Sequence, residues 1–160
     1  MRVIKIIDGT TVDGPGFRTS IYFAGCTHHC PGCHNRHTWD INAGEEMSIE
    51  EILHRVEAND LNVTFSGGDP MMQIEELIQL AKEIRQLGKT IWCYTGYTYD
   101  EVAADPKMSA LLPFMEVLVD GPYIDSLRDT TLLFRGSSNQ RLISIPDSTP
   151  VTPHLWTPSF

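Results

Sequence analysis

The sequence predicts an α/β fold in which a mostly parallel sheet forms an incomplete, TIM-like βα barrel. Apolar strand segments alternate with amphipathic helical segments along the chain, and this alternation is typical of parallel strands joined by helical crossovers. Four strand segments end in turns that contain Gly, Asp or Cys, and the chemistry of such sheets gathers at that edge. The chain has 160 residues, whereas a complete eight-stranded barrel needs about 250. Only part of a barrel can therefore form, with a wide mouth.

The N-terminal part predicts two strands separated by a loop. Residues 2–7 read as a short strand, and residues 8–17 are rich in Gly, Pro and Asp, which favours a loop. Residues 18–24 carry the β-branched and aromatic side chains of a second strand. Residues 25–44 then form a long irregular stretch. A stretch of that length without regular structure in a small domain is usually functional.

Two capping boxes mark helix starts in the middle of the chain. Ser48 with Glu51 predicts a helix to about residue 58, and Thr98 with Glu101 predicts another that Pro106 ends or kinks. The segments between them predict a strand at 62–66, a helix at 73–87 stopped by Gly88, and a strand at 90–94.

The C-terminal part predicts further strands and then a tail. Residues 116–119 are a strand that ends at an Asp-Gly-Pro turn, and two further strands are expected at 132–134 and 141–145. Prolines then recur, so the chain is expected to be extended or loose. We divide it into one domain over residues 1–146 and a proline-rich tail over 147–160.

Composition limits the class of protein. The formal net charge is −9 and hydrophobic residues make up 41% of the chain, which favours a globular core and disfavours a nucleic-acid or anionic-membrane surface. We find no apolar run long enough to span a membrane and no signal peptide. A cytoplasmic protein with neither a nucleic-acid nor a membrane partner is expected.

Three of the four cysteines lie within eight residues. Their spacing is Cys26-x₃-Cys30-x₂-Cys33, and thiolates at such a spacing can hold an iron–sulfur cluster with one iron left open. One alternative is a structural zinc site of the same thiolates and one nearby histidine. Another is a redox-only cluster in which Cys93 is the fourth ligand, which a position in a central strand disfavours. Cys93 lies in a strand-like run, where a buried inert thiol is expected.

The surroundings of these cysteines resemble the signature of the radical S-adenosylmethionine (SAM) superfamily. Residues 25–35 (GCTHHCPGCHN) carry that likeness, and residues 66–70 (SGGDP) resemble the SAM-binding turn of the superfamily. Residues 13–18 (DGPGFR) and 35–39 (NRHTW) resemble the glycyl-radical activating enzymes. Within that group, the features most similar to the activators of anaerobic ribonucleoside-triphosphate reductase are Pro31-Gly32, 92–97 (WCYTGY), 119–121 (VDG) and 135–141 (RGSSNQR).

The resemblance implies a fold of the radical SAM type and a reaction. Cys26, Cys30 and Cys33 would hold a 4Fe–4S cluster whose open iron binds the amino and carboxylate groups of SAM. The reduced cluster would cleave SAM into methionine and a 5′-deoxyadenosyl radical, and the radical would take a hydrogen atom from a glycine of the reductase. The chain would be an oxidoreductase whose chemistry is supplied by its cofactors rather than by a catalytic side chain.

The resemblance also names SAM contacts. Gly67, Gly68 and Asp69 would receive the methionine amino group, and two glycines allow a close backbone approach. The remaining expected contacts are Gly32, His34, Asn35 and Asp120. Many superfamily members carry an aromatic or apolar residue where this chain has Gly32, so the adenine is expected to rest on backbone near residues 32–35.

The implied partners are the catalytic subunit of the anaerobic reductase and a low-potential electron donor, flavodoxin or similar. Two alternatives stay open. One is activation of another glycyl-radical enzyme of the pyruvate formate-lyase type, which Gly32 and the short chain disfavour. The other is a non-catalytic iron–sulfur or zinc module for structure or redox sensing, which would not need the glycine turn at 67–70.

Overall fold

The computed structural model describes residues 1–159, and within them the chain forms one eight-stranded sheet. The strand order is β3-β1-β2-β4-β5-β6-β7-β8. The four central strands β2, β4, β5 and β6 are mutually parallel, and antiparallel strands flank them on both sides. The strands are β1 (Arg2–Thr10), β2 (Arg18–Phe23), β3 (Glu45–Glu46), β4 (Asn62–Gly67), β5 (Ile91–Tyr94), β6 (Val117–Asp120), β7 (Arg141–Thr149) and β8 (Thr152–Leu155).

Three α-helices of the described chain connect the parallel strands: α1 (Ile49–Asn59), α2 (Ile74–Gln86) and α3 (Tyr99–Ala104). Both predicted capping boxes are present. The side chains of Ser48 and Thr98 each accept a backbone N–H three residues on, and their own backbone N–H groups donate to the carboxylates of Glu51 and Glu101. No helix within residues 1–159 combines the length and the apolar character needed to cross a membrane.

The two faces of the sheet differ in what they bury. One face packs on the helices through a large apolar core that includes Ile21, Phe65, Cys93 and Leu118. The other face carries a small cluster around Trp92, which contacts Phe134 and Trp156 edge to face. This face also carries the fully buried Arg18, whose guanidinium lies over the Trp92 ring. Loops therefore cover the face of the sheet that lacks helices.

The predicted α/β class with parallel central strands is confirmed, and the element positions agree within a few residues. Two differences concern the C-terminal part. Residues 132–134 lie in an irregular segment instead of a strand. Beyond residue 146, β7 continues to Thr149 and β8 pairs with it, so the described part of the predicted tail extends the sheet.

Candidate functional site

The carboxyl ends of the four parallel strands bring four loops to one edge of the sheet. We call residues 24–35, which follow β2, the cysteine loop, and residues 66–70 at the end of β4 the glycine turn. The residues after β5 (95–97) and after β6 (121–122) complete the edge. The sequence predicted that the turns containing Gly, Asp or Cys would meet at this edge. The sheet register places them there.

The cysteine loop carries all three predicted ligands as free, half-buried thiols. The backbone turns tightly at its end, where Cys33 N–H donates to the Cys30 carbonyl at 3.1 Å and Asn35 N–H donates to Cys33 Sγ at 3.4 Å. Burial raises the pKa of Cys26, while backbone hydrogen bonds from His28 and His29 act in the opposite direction. Donors aimed at sulfur suit a thiolate, so this donor set fits an iron–sulfur cluster.

No three His, Cys, Asp or Glu side chains among residues 1–159 form a group that could hold a single metal ion. Cys93 lies apart from the loop in β5, where it is fully buried and burial holds its pKa well above the ordinary value. The expectation of an inert core thiol at Cys93 agrees with this placement.

Glycine is required where the glycine turn meets the cysteine loop. A Cβ on Gly68 would press on the Gly25 carbonyl, 2.8 Å from its carbon, and would lie 3.0 Å from the Thr38 oxygen. Gly67 has a φ of +110°, and a Cβ there would lie 2.8 Å from the Tyr22 carbonyl carbon. The turn is tied down by hydrogen bonds from Gly68 N–H to Phe23 O (2.9 Å) and from Asp69 N–H to Gly25 O (2.7 Å). The two glycines thus bring these backbones into direct contact.

Asp69 is buried, with 1% of its surface exposed, and its carboxylate is engaged within the protein. Oδ1 accepts Met71 N–H at 3.0 Å, and Oδ2 accepts the Thr95 hydroxyl and Gly96 N–H at 2.9 Å each. His28 Nε2 lies 2.7 Å from Oδ2, and this hydrogen bond raises the pKa of His28. The predicted SAM contact therefore lies at the expected edge but is occupied by internal donors.

The carboxylate of Asp120, at the end of β6, also accepts hydrogen bonds from within the protein. It accepts Tyr99 N–H at 2.7 Å at the start of α3, and Arg141 Nη2 at 2.6 Å from β7. Arg141 N–H and Nε also donate to Oδ1. These hydrogen bonds join β6, α3 and β7, so Asp120 holds these three elements together at the end of β6.

Two of the three remaining predicted contacts border a cleft of about 690 Å³ beside the cysteine loop. His34 and Asn35 line it next to Cys33, and the Asn35 amide also reaches Gly67 O at 3.4 Å. Gly32 has a φ of +78°, and a Cβ there would lie 2.7 Å from Asp125 Oδ1. The space that a larger side chain would fill before Cys33 is thus taken by the segment after β6.

Sequence reasoning missed the opposite wall of the cleft. Tyr94, Tyr123, Arg128, Arg135 and Gln140 line it. Tyr94 lies at the end of β5 and donates its hydroxyl to Phe134 O at 2.6 Å, and burial raises its pKa. The motif at 135–141 was the available signal, but only the fold shows that it faces the cysteine loop.

Arg18 anchors the loop that precedes β2. Its guanidinium donates to Thr64 Oγ1 and Val63 O at 2.8 Å each, and reaches Pro15 O at 3.4 Å. Burial lowers its pKa. The loop before β2 is thereby held against the face of the sheet that carries Trp92.

Comparisons with known proteins place the sequence among characterised groups. Residues 12–143 match the family model described as "4Fe-4S single cluster domain". The anaerobic ribonucleoside-triphosphate reductase-activating protein of Escherichia coli (strain K12) is 38% identical over 141 residues, which cover 81% of this chain and 89% of that protein.

Proteins of the same name from other sources give the same picture. The one from Haemophilus influenzae is 33% identical over 152 residues, covering 88% of this chain and 96% of its own. The one from Enterobacteria phage T4 is 34% identical over 145 residues, covering 85% and 89%. Among solved structures, QueE from Escherichia coli gives a TM-score of 0.49 at 18% identity, covering 60% of this chain and 52% of that one.

Proposed function

Because the chain belongs to the family of anaerobic ribonucleoside-triphosphate reductase-activating proteins and to the 4Fe-4S single cluster domain family, we propose that it activates such a reductase by generating a glycyl radical on it. The partner is then the catalytic subunit of the reductase. The observation that carries the proposal is the cysteine loop, whose three thiols lie at the carboxyl edge of parallel strands against a glycine turn.

In this proposal Cys26, Cys30 and Cys33 hold a 4Fe–4S cluster. When bound and reduced, the cluster supplies the electron that splits SAM into methionine and a 5′-deoxyadenosyl radical, which takes a hydrogen atom from the target glycine. The protein holds the thiolates in place and keeps solvent away. The N–H groups directed at sulfur support this role, because hydrogen bonds to a thiolate stabilise its charged form.

We place SAM in the cleft beside Cys33, with its methionine amino group directed toward the glycine turn. Gly67 and Gly68 offer backbone at close range, and His34 and Asn35 form the wall of the cleft next to Cys33. Gly32 is proposed to present backbone rather than a side chain to the adenine. The resemblance predicts contacts from Asp69 and Asp120 to SAM, but both carboxylates already accept internal hydrogen bonds, so neither side chain is placed against SAM here.

We propose that the open sheet is the wall of an incomplete βα barrel. The parallel strands β2, β4, β5 and β6 follow one another in chain order. That order is typical of barrels, whereas doubly wound sheets reverse direction at a switch point. The barrel unit is proposed to comprise residues 1–146, with residues 147–159 appended to the edge of the sheet.

We also propose an electron donor and a location for the protein. A low-potential donor such as flavodoxin is needed to reduce the cluster, and a cytoplasmic location supplies it. The net charge of −9 supports the absence of nucleic-acid and membrane partners.

Product analysis under anaerobic conditions tests the reaction. The full-length protein is reconstituted with iron and sulfide, reduced and mixed with SAM, and methionine and 5′-deoxyadenosine are quantified. Both products are expected from the native protein, and Cys30→Ala is expected to form neither. Cys93→Ser serves as the matched control, because Cys93 lies apart from the loop in β5 and should not affect cleavage. Full cleavage by Cys30→Ala would contradict the cluster assignment.

A further inference from the structure

The carboxylate of Asp69 joins three of the loops that form the site. It accepts Met71 N–H within the segment that follows the glycine turn, and Thr95 Oγ1 and Gly96 N–H from the loop after β5. The third loop is the cysteine loop, which reaches it through His28 Nε2 at 2.7 Å. Two carboxylate oxygens accept about four hydrogen bonds, so these donors use the full capacity of the group.

The imidazole ring of His28 packs closely against the loop that follows β5. Its ring stands edge to face with Tyr97, with 4.5 Å between centroids. A Cβ on Gly96 would lie 2.7 Å from Nε2 and 2.8 Å from Cγ, so only glycine leaves room for the imidazole. The side chain of His28 is 18% exposed and that of Asp69 is 1% exposed. A charge-assisted hydrogen bond this well shielded from water is among the stronger kinds.

The position of His28 in the chain links its contact with Asp69 to the placement of the cysteine thiols. His28 lies between Cys26 and Cys30, so fixing its ring fixes the backbone that presents both thiols. On the other side of the same segment, His29 adopts a positive φ of 47° and stacks on Trp39 at 4.3 Å between centroids. A non-glycine residue in that conformation is strained and persists only when its surroundings hold it. The two adjacent histidines thus clamp the cysteine loop from opposite sides.

We propose that Asp69 is a positioning residue that fastens the cysteine loop to the other strand-end loops through His28, instead of a direct ligand for the amino group of SAM. The inference rests on the proposed function for the identity of the ligands. It assigns His28 and Asp69 one joint task, which is to hold Cys26 and Cys30 in place before any cofactor is bound.

Hydrogen exchange on the full-length, reduced, cluster-free protein tests the proposal. His28→Ala is expected to raise the exchange rates of the amides in residues 25–30 about tenfold, because the loop loses its anchor. Asp69→Asn is expected to raise the same exchange rates. The double variant should exchange about as fast as either single variant, as expected when the two residues are partners in one interaction. His54→Ala, an exposed histidine on α1, is the control and should leave these rates unchanged.

A second readout separates the two roles of Asp69. SAM affinity of the cluster-loaded protein, measured by calorimetry, should fall to a similar extent in His28→Ala and Asp69→Asn if both act through loop position. Unchanged exchange in His28→Ala, with SAM affinity lost in Asp69→Asn alone, would overturn the proposal. If Asp69→Asn does not fold, exchange in His28→Ala decides by itself, because His28 lies on a loop. The exchange result stands even if the native protein does not cleave SAM, so the two proposals fail separately.

Discussion

Replacing Gly68 by alanine should loosen the contact between the glycine turn and the cysteine loop. A Cβ there would lie 2.8 Å from the Gly25 carbonyl carbon and 3.0 Å from Thr38 O. Ordinary contact between such atoms begins at about 3.5 Å, and the Gly25 carbonyl oxygen lies still closer to the Cβ than the carbon does. The backbones must therefore separate by roughly 1 Å. Both obstacles are backbone atoms held by hydrogen bonds, and neither can rotate away as a side chain could.

The magnitude follows from the bonds that such a movement would break. Asp69 N–H donates to Gly25 O at 2.7 Å, and Gly68 N–H donates to Phe23 O at 2.9 Å. Lengthening either by about 1 Å takes it beyond hydrogen-bond distance, and each is worth about 1 kcal/mol. Together with the strain of overpacking, the free energy of unfolding should fall by about 3 kcal/mol. For a chain of this size that lowers the melting temperature by roughly 6–12 °C.

The assay is urea denaturation of the cluster-free protein, with iron content after reconstitution as the second measurement. Gly88→Ala is the matched control. Gly88 has a φ of +77° but nothing within 4 Å of its added Cβ, so alanine there brings backbone strain without touching the cysteine loop. Gly68→Ala should lose both stability and iron, and Gly88→Ala should keep its iron. A Gly68→Ala protein as stable as the native one, with full iron, would refute the steric argument.

Two further predictions concern buried polar groups. Asp120→Asn should lower the free energy of unfolding by about 2 kcal/mol in thermal denaturation, because Arg141 loses its charged partner. Lys107→Ala, which removes a fully exposed ion pair, should cause no measurable change, and equal losses in the two variants would contradict this. Burial raises the pKa values of the Tyr22 and Tyr94 phenols. The unfolded chain releases those protons near pH 10 and the folded chain retains them, so stability should fall as the pH rises above about 10. A flat stability profile in urea titrations from pH 9 to 11 would contradict the burial of these hydroxyls.

The sequence was most informative where local chemistry decides structure. The capping boxes at Ser48 and Thr98 are properties of four consecutive residues, and both helices begin where those residues predict. The alternation of strands and helices similarly indicated the parallel centre of the sheet, because each crossover needs a helix of its own. The cysteine spacing and the glycine turn were recognisable as motifs before any fold was known.

Pairings between distant segments could not be read from the sequence. Asp69 and His28 are 41 residues apart, and nothing local in either motif indicates that they meet. Asp120 and Arg141 are 21 residues apart and meet only because β6 and β7 are antiparallel neighbours. The expectation for residues beyond 146 rested on proline content alone, whereas pairing between β7 and β8 depends on a partner strand that composition does not reveal.

An activator of this family is expected to place a radical on a glycine of an anaerobic ribonucleoside-triphosphate reductase. The most direct test mixes the cluster-loaded, reduced protein with the catalytic subunit of such a reductase and SAM, and records the electron paramagnetic resonance spectrum under anaerobic conditions. We expect an organic radical on the reductase whose doublet, split by the glycine α-hydrogen, collapses when the reductase is made with α-deuterated glycine. SAM cleavage that leaves no such radical on the reductase would contradict the claim.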